Sequence, residues 1–144
     1  MILLDANLLL YAYNSGAKQH KESKKLLEDL LSSSQLVGLP WLVVWAFLRI
    51  ATHTQIFSAP LTAEEACAAV SLWLQCPNVR LLSPGEQHWQ YLQEQIHSGQ
   101  ARGPLVMDAV MAALAAEYGA EIWTADRDFL RFDTVRSRNP LSMN

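Results

Sequence analysis

Short apolar segments alternate along the chain with longer segments in which apolar residues recur at helical spacing. A short, continuously apolar run is typical of a parallel strand buried on both faces, whereas apolar residues three and four apart form one face of a helix. In residues 20–31, Leu27 and Leu30 fall on one face and Lys25 and Glu28 on the other. Residues 1–5 form such a run, and the other short strands are predicted at residues 35–39, 79–82 and 121–124.

Helix boundary signals occupy the intervals between these strands. Thr62 and Glu65 predict a capping box at the start of one helix, and Gly119 stops the most hydrophobic helix, which Pro104 opens. Predicted helices cover residues 7–13, 20–31, 40–49, 62–74, 86–97 and 104–118, with a helical turn at 126–132 and a last edge strand at Val135. Strands of about four residues that alternate with helices predict an α/β sandwich around a mainly parallel sheet.

The composition limits the classes of protein and of site that this chain can form. Its 144 residues fit one domain, and with 51% hydrophobic and 17% charged residues it can bury a sizeable core. Two cysteines exclude a disulfide scaffold and a four-thiolate zinc site, and the four histidines show no HExxH spacing. The net charge of −3 provides no overall attraction to nucleic acid, so such a contact needs a local patch or a bound cation.

Neither a membrane span nor an export signal is expected from the sequence. No apolar run approaches the roughly 20 residues that cross a bilayer, and no basic segment precedes an apolar stretch at the N-terminus. The two cysteines give no sign of an oxidising compartment. We therefore expect a single domain over residues 1–144 that works in the cytoplasm without a membrane.

Three aspartates mark the carboxyl ends of the predicted strands. Asp5 ends the first strand, Asp126 follows the strand at residues 121–124, and Asp108 lies in the first turn of the helix that precedes that strand. Asp108 is also the only charged residue between Arg102 and Glu117. Because ligand sites of parallel sheets form at the carboxyl ends of strands, we expect the three carboxylates to converge there.

Each aspartate also has an ordinary structural explanation. Asp126 could cap the helical turn that follows it, Asp108 could complement a helix dipole, and Asp5 could form a turn with Asn7. For any one residue this explanation is about as good as the functional one. An accidental meeting of all three at one edge of the sheet is much less plausible, which favours a site.

Converging carboxylates need a compensating positive charge. Two unit charges about 4 Å apart repel by roughly 4 kcal/mol at an effective dielectric constant of about 20, so either a proton is shared or a cation binds. Oxygen ligands without histidine or cysteine suit Mg²⁺ or Mn²⁺. An ion held in this way activates a water and stabilises the transition state of phosphoryl transfer.

Three classes of α/β protein use clustered acids with such an ion. A phosphatase of the haloacid dehalogenase class needs a second acid where this chain has Asn7, and it needs a later lysine. A receiver domain also needs a downstream lysine, but no lysine follows Lys25. A metal-dependent nuclease needs neither, so the residues favour that class and leave a phosphatase as the weaker alternative.

Four segments together carry a family resemblance that spans nearly the whole chain. They are MILLDANLLLYA, LVVWAFLRIAT, LVMDAVMAALAAEYGAEIWTADRDFLRF and RNPL, in that order. The chain resembles PIN-domain ribonucleases, in particular the VapC-type toxins of bacterial toxin–antitoxin pairs. The resemblance implies a three-layer α/β/α sandwich with four or five mainly parallel strands, and RNA endonuclease activity that depends on Mg²⁺ or Mn²⁺. It also implies a homodimer and an antitoxin whose C-terminal segment covers the active groove.

The family's acidic residues can be matched to this sequence one by one. The resemblance assigns Asp5, Asp108 and Asp126 as catalytic metal ligands, and supporting roles to Asn7, Thr124 and Asp128. Ala46 stands where the family usually has a glutamate, although some members carry a small or apolar residue there. The alternative is therefore a catalytically weakened PIN fold that only binds RNA or a protein.

Basic and aromatic residues supply the remaining candidates for contacts with partners. Arg127, Arg131, Arg136 and Arg138 form a basic C-terminal segment, and Arg102 lies just before the helix that contains Asp108. These arginines could bind RNA phosphates, although an ordinary solvated face explains them equally well. Trp41 and Trp45 are one helical turn apart and could line a groove for another protein chain.

Overall fold

The computed structural model describes residues 1–57 and 59–141, and within them a five-stranded sheet carries six α-helices and a 3₁₀ helix. The strands are β1 (Ile2–Leu4), β2 (Val37–Pro40), β3 (Val79–Leu82), β4 (Glu121–Trp123) and β5 (Ser137–Arg138). The helices are α1 (Ala6–Tyr13), α2 (His20–Leu31), α3 (Trp41–Ala51), α4 (Ala63–Gln75), α5 (His88–Ser98) and α6 (Leu105–Tyr118), and the 3₁₀ helix covers Arg127–Arg131. In this part of the chain, every helix is too short or too polar to span a membrane.

All five strands run parallel, in the order β3-β2-β1-β4-β5. From β1 the chain moves outward to β2 and β3, and then crosses back to β4 and β5 on the other side. Because crossovers between parallel strands are right-handed, this reversal puts α1 to α4 on one face of the sheet and α5 and α6 on the other. The predicted three-layer α/β/α fold with four or five strands is confirmed. The strand order reverses between β1 and β4, which is where a site is expected.

The core lies between the sheet and its two helical layers. Leu3, Leu39 and Ile122 on the central strands are at most 1% exposed, as expected for strands covered on both faces. A Cβ atom at Gly38 would lie 2.6 Å from Leu82 Cδ1, so β2 tolerates no larger residue there without rearrangement.

The last strand differs from its prediction at Val135. The backbone N–H of Val135 donates to the carbonyl of Phe132, so this residue still belongs to the turn that follows the 3₁₀ helix. Pairing with β4 begins at Arg136, whose carbonyl accepts from the N–H of Ile122. Val135 packs against the core instead, which explains its apolar character.

Most helix boundaries lie within one residue of their predictions, and helix α3 continues two residues further, to Ala51. The capping box of Thr62 and Glu65 is present, with both of its hydrogen bonds formed. Gly119 ends α6 with a positive φ of 63°, a conformation that glycine adopts most readily. Helix α5 starts at His88, two residues later than predicted.

Candidate metal centre

Asp5 lies directly after β1 and caps helix α1. Its Oδ1 atom accepts a hydrogen bond from the backbone N–H of Ala6 at 2.7 Å. Its Oδ2 atom accepts from Thr124 Oγ1 at 2.7 Å and from Asn7 Nδ2 at 3.2 Å. Burial raises the pKa of Asp5 above its usual value and the negative charge of Asp126 adds to this effect, while the hydrogen bonds from Thr124 and Ala6 oppose it.

Thr124 connects the ends of β1 and β4. In addition to its bond to Asp5, the buried hydroxyl accepts from the backbone N–H of Asp126 at 2.9 Å and from Asn7 Nδ2 at 3.3 Å. Asn7 completes the connection, because its Oδ1 atom accepts from the backbone N–H of Ala125 at 3.3 Å. Asn7 and Thr124 therefore hold the two strand ends, and the carboxylates on them, in a fixed relation.

Asp126 and Asp128 lie at the start of the 3₁₀ helix. Asp126 is its N-cap, and its Oδ1 atom accepts from the backbone N–H of Asp128 at 2.8 Å. This confirms the ordinary capping explanation for Asp126, but the two carboxylates are also brought side by side. The Asp-x-Asp spacing in the sequence is the signal for this arrangement.

Asp108 lies in the first turn of α6, between exposed and buried faces of that helix. Burial, followed by the negative charges of Asp126, Asp5 and Asp128, raises its pKa from 3.8 to about 6, and Arg131 opposes part of the rise. A carboxyl group whose pKa is raised by three like charges is in an electrostatic environment that attracts a cation.

The structure brings three of the predicted residues into one cluster. One carboxylate oxygen from each of Asp108, Asp126 and Asp128 lies within 4.8 Å of the others. Among the described residues Asp5 is outside this group, although it is close enough for its charge to raise the pKa of Asp108. The family resemblance implies only a supporting role for Asp128, whereas the structure places its carboxylate with those of Asp108 and Asp126.

The donor set fits a hard divalent cation. The cluster offers carboxylate oxygens at a spacing that one ion could bridge, and their mutual repulsion is what such an ion would neutralise. The cluster itself contains neither histidine nor cysteine, so it lacks the ligands that favour zinc.

Arg102, Arg127 and Arg131 differ in their surroundings. Arg102 and Arg127 are exposed. Arg131 is also exposed, but its Nη1 atom donates to the carbonyl of Gly99 at 2.8 Å, which ties the 3₁₀ helix to the end of α5. Its positive charge also opposes the raised pKa of Asp108. Arg131 therefore has a structural and electrostatic role beside the cluster, independent of any contact with RNA.

Comparison with known proteins identifies the family. The PIN domain model matches residues 2–135. The chain belongs to the PIN-domain family. Within it, ribonuclease VapC37 of Mycobacterium tuberculosis is 39% identical over 140 residues, which are 97% of this chain and 97% of that protein. The family indicated by the sequence motifs is therefore confirmed.

Solved PIN-domain structures share the fold at lower sequence identity. VapC20 of Mycobacterium tuberculosis, described as a sarcin-ricin loop cleaving toxin, superposes with a TM-score of 0.67 at 19% identity, over 90% of this chain and 93% of that one. VapBC2 of Rickettsia felis, bound to a DNA fragment from its promoter, has a TM-score of 0.69 at 17% identity and covers 96% and 98% of the two chains. At these identities the likeness shows the PIN fold alone.

One position of this PIN domain departs from the pattern expected for the family. Ala46, at the position where the family resemblance predicts a glutamate, is partly buried on α3 and packs against the hydrophobic core. Its methyl group has no oxygen that could bind a metal ion. The acidic cluster of this PIN domain is therefore formed by residues from α6 and the start of the 3₁₀ helix.

Proposed function

We propose that this PIN domain is a metal-dependent RNA endonuclease and acts as the toxin of a type II toxin–antitoxin pair. The observation that carries the proposal is the cluster of Asp108, Asp126 and Asp128 at the reversal point of the sheet. The relatives support it, because VapC37 is named a ribonuclease and VapC20 is described as a sarcin-ricin loop cleaving toxin.

We propose Mg²⁺ or Mn²⁺ as the metal, held by Asp108 and Asp126 with Asp5 and Asp128. Oxygen-only ligands suit both of these ions. When bound, the ion would act as a Lewis acid, activating a water and neutralising charge on the scissile phosphate. We assign the catalytic roles to Asp5, Asp108 and Asp126, because they come from three different elements that meet at this point.

The remaining polar residues hold these carboxylates in position. Thr124 donates to Asp5 and accepts from the N–H of Asp126, so one hydroxyl fixes residues after both β1 and β4. Asn7 adds a second connection through its amide. Groups that orient the ligands of a metal in this way commonly affect metal affinity or activity by about 10–100-fold when they are removed.

RNA would reach the acidic cluster with the help of nearby arginines. The overall charge of −3 repels a polyanion, so the attraction must be local. The exposed guanidinium groups of Arg102 and Arg127 are available for phosphate contacts, while Arg131 is already bonded to the carbonyl of Gly99.

We further propose that the single domain of residues 1–144 works in the cytoplasm as a homodimer, bound by a cognate antitoxin. Trp41 and Trp45 support a protein contact: their rings stack with centroids 6.2 Å apart and are 40% and 62% exposed. Exposed aromatic pairs of this kind are typical of interfaces. Light scattering should give the mass of a dimer, and a monomer at high protein concentration would contradict that part of the proposal.

The enzymatic proposal can be tested by mapping RNA ends. We expect expression of the parent protein in a bacterial host to create new 5′ ends at defined positions, because an endonuclease cuts within its substrate. The Asp5→Asn variant should create few or none, since it loses one negative charge beside the cluster.

Equal end patterns from the parent and Asp5→Asn would contradict cleavage by this site. RNA binding without new ends would instead support the alternative, a PIN fold that binds RNA or protein without cutting. Ala46 is the sequence feature that suggests this alternative, because it stands where the family resemblance predicts a glutamate.

A further inference from the structure

An open pocket of about 390 Å³ lies beside the acidic cluster, at the carboxyl ends of β4 and β5. Thr124 and Asp126 form part of its wall, so the pocket and the metal centre share two residues. Its volume is within the range that binds small ligands or single nucleotide units. A substrate strand that crosses the cluster would therefore place a neighbouring nucleotide in or near this pocket.

The charge of the pocket differs from that of the cluster. The described lining includes two arginines, Arg127 and Arg138, and a single aspartate, Asp126. The adjoining cluster consists of carboxylates alone. Positive charge therefore lies next to negative charge along the edge of the sheet. This arrangement is required if a metal ion binds one phosphate of an RNA strand and arginines bind the next.

Arg138 is held in place by its surroundings. Its guanidinium carbon lies 4.7 Å from the centre of the Trp123 ring, and its Nε atom lies 3.8 Å from Glu121 Oε1. The indole N–H of Trp123 also donates to Glu121 Oε1 at 2.8 Å, so these three side chains support one another. A positioned guanidinium group loses less conformational entropy when it binds a phosphate.

Asn139 brings a hydrogen-bond donor to the same pocket. Its Oδ1 atom accepts from the backbone N–H of Leu141 at 2.9 Å, which fixes the orientation of the amide group. Across residues 1–57 and 59–141, the Nδ2 atom of Asn139 has no hydrogen-bond partner. A fixed amide donor beside a phosphate-binding group is able to read an acceptor on a base.

We propose that this pocket binds the nucleotide adjacent to the scissile phosphate, with Arg127 and Arg138 on its phosphate and Asn139 on its base. The inference rests on the proposed ribonuclease function, and it identifies the residues that determine where the RNA is cut. Asn139 is a specificity-determining residue, whereas Arg127 and Arg138 are binding residues. The cut strand thus extends from the acidic cluster toward β5.

A binding experiment tests the pocket without cleavage. The affinity for short single-stranded RNA oligonucleotides is measured in EDTA for the Asp108→Asn protein. The same measurement is made for two double variants, in which Arg127→Ala or Arg138→Ala is combined with Asp108→Asn. Each arginine variant should weaken binding and reduce the slope of log affinity against log salt by about 0.7, the value for one phosphate contact on a single strand. Arg136→Ala is the matched control, because it removes the same charge from a residue that lines a different pocket.

Equal losses from Arg136→Ala and the two pocket variants would overturn the inference, since the effect would then be one of overall charge. This binding result does not depend on whether the chain cleaves RNA. A parent protein that cuts no RNA with Mg²⁺ or Mn²⁺ would contradict the proposed function instead, so the two failures can be told apart.

A cleavage experiment tests the role of Asn139. Total bacterial RNA is digested with the parent, Asn139→Ala and Asn139→Asp, and the new 5′ ends are sequenced. Asn139→Asp keeps the acceptor for Leu141 but removes the Nδ2 donor, so both variants should lose base preference at one position beside the cut by roughly five- to tenfold. Unchanged preference in both variants, together with active cleavage, would contradict base recognition by Asn139.

Discussion

Replacing Asp108 by asparagine should stabilise the metal-free protein, although it removes a carboxylate that we propose to be catalytic. Burial and three neighbouring acids raise the pKa of Asp108 from 3.8 to about 6, so the ionised form is disfavoured in the folded state. At about 1.4 kcal/mol for each pKa unit, the raised pKa corresponds to about 3 kcal/mol at most. Because the residue is half-buried, solvent screens part of this repulsion, and we expect a gain of about 1–2 kcal/mol.

The sign of the pH dependence follows from proton linkage. Between pH 3.8 and about 6 the folded chain binds more protons at Asp108 than the unfolded chain does, so stability falls as the pH rises through this interval. Below it, the parent carries a neutral carboxyl group and should resemble Asp108→Asn. The stability difference between the two proteins should therefore be small in acid and reach its full size above about pH 7.

Urea unfolding in EDTA measures this difference. Curves at about pH 4 and about pH 8 should separate the two proteins only at the higher pH. Asp133→Asn is the control, because Asp133 is exposed and outside the cluster. Mg²⁺ or Mn²⁺ should then stabilise the parent more than Asp108→Asn, since only the parent keeps the full ligand set. An Asp108→Asn protein that is no more stable than the parent at the higher pH would refute the reasoning.

Three further substitutions test the packing around the site. Thr124→Val removes the hydroxyl between Asp5 and the N–H of Asp126, and should cost about 1–3 kcal/mol by urea unfolding and about 10–100-fold in cleavage rate. Gly99→Ala would place a Cβ atom 2.5 Å from Phe132 Cε1, and should therefore lower the free energy of unfolding by about 1–3 kcal/mol. An unchanged unfolding midpoint would contradict this expectation. Ala46→Glu should cost about 1–3 kcal/mol in EDTA, because a carboxylate would enter a position packed against the core; tighter Mn²⁺ binding without this loss would show that position 46 reaches the metal centre.

Most of the fold could be predicted because its physical causes are local. A continuous apolar run marked β1, and the signals at Thr62 and Gly119 marked helix boundaries. The final strand could not be located from such signals. Val135 has the apolar character of a strand residue, but the turn after the 3₁₀ helix uses it for core packing and leaves the pairing to Ser137 and Arg138.

The site was predictable in its residue types more than in its geometry. Asp108 stood out because it is a charged residue in an apolar helix, and the structure brings it to Asp126. Whether Asp5 or Asp128 lies closer to Asp108 and Asp126 depends on the path of the 3₁₀ helix after β4. The spacing of residues in the sequence does not determine that path. The pocket beside the cluster depends on β5, so the positions of Arg138 and Asn139 in its wall could not be predicted before that strand was located.

The most direct test of the central claim compares cleavage of a structured RNA by the parent, Asp126→Asn and Asp133→Asn, with Mg²⁺ and with EDTA. Asp126 belongs to the acidic cluster, whereas Asp133 is an exposed aspartate that follows the same 3₁₀ helix. The account predicts cleavage at defined positions by the parent and Asp133→Asn with Mg²⁺, little by Asp126→Asn, and none in EDTA. Equal cleavage by the parent and Asp126→Asn, or cleavage that persists in EDTA, would contradict it.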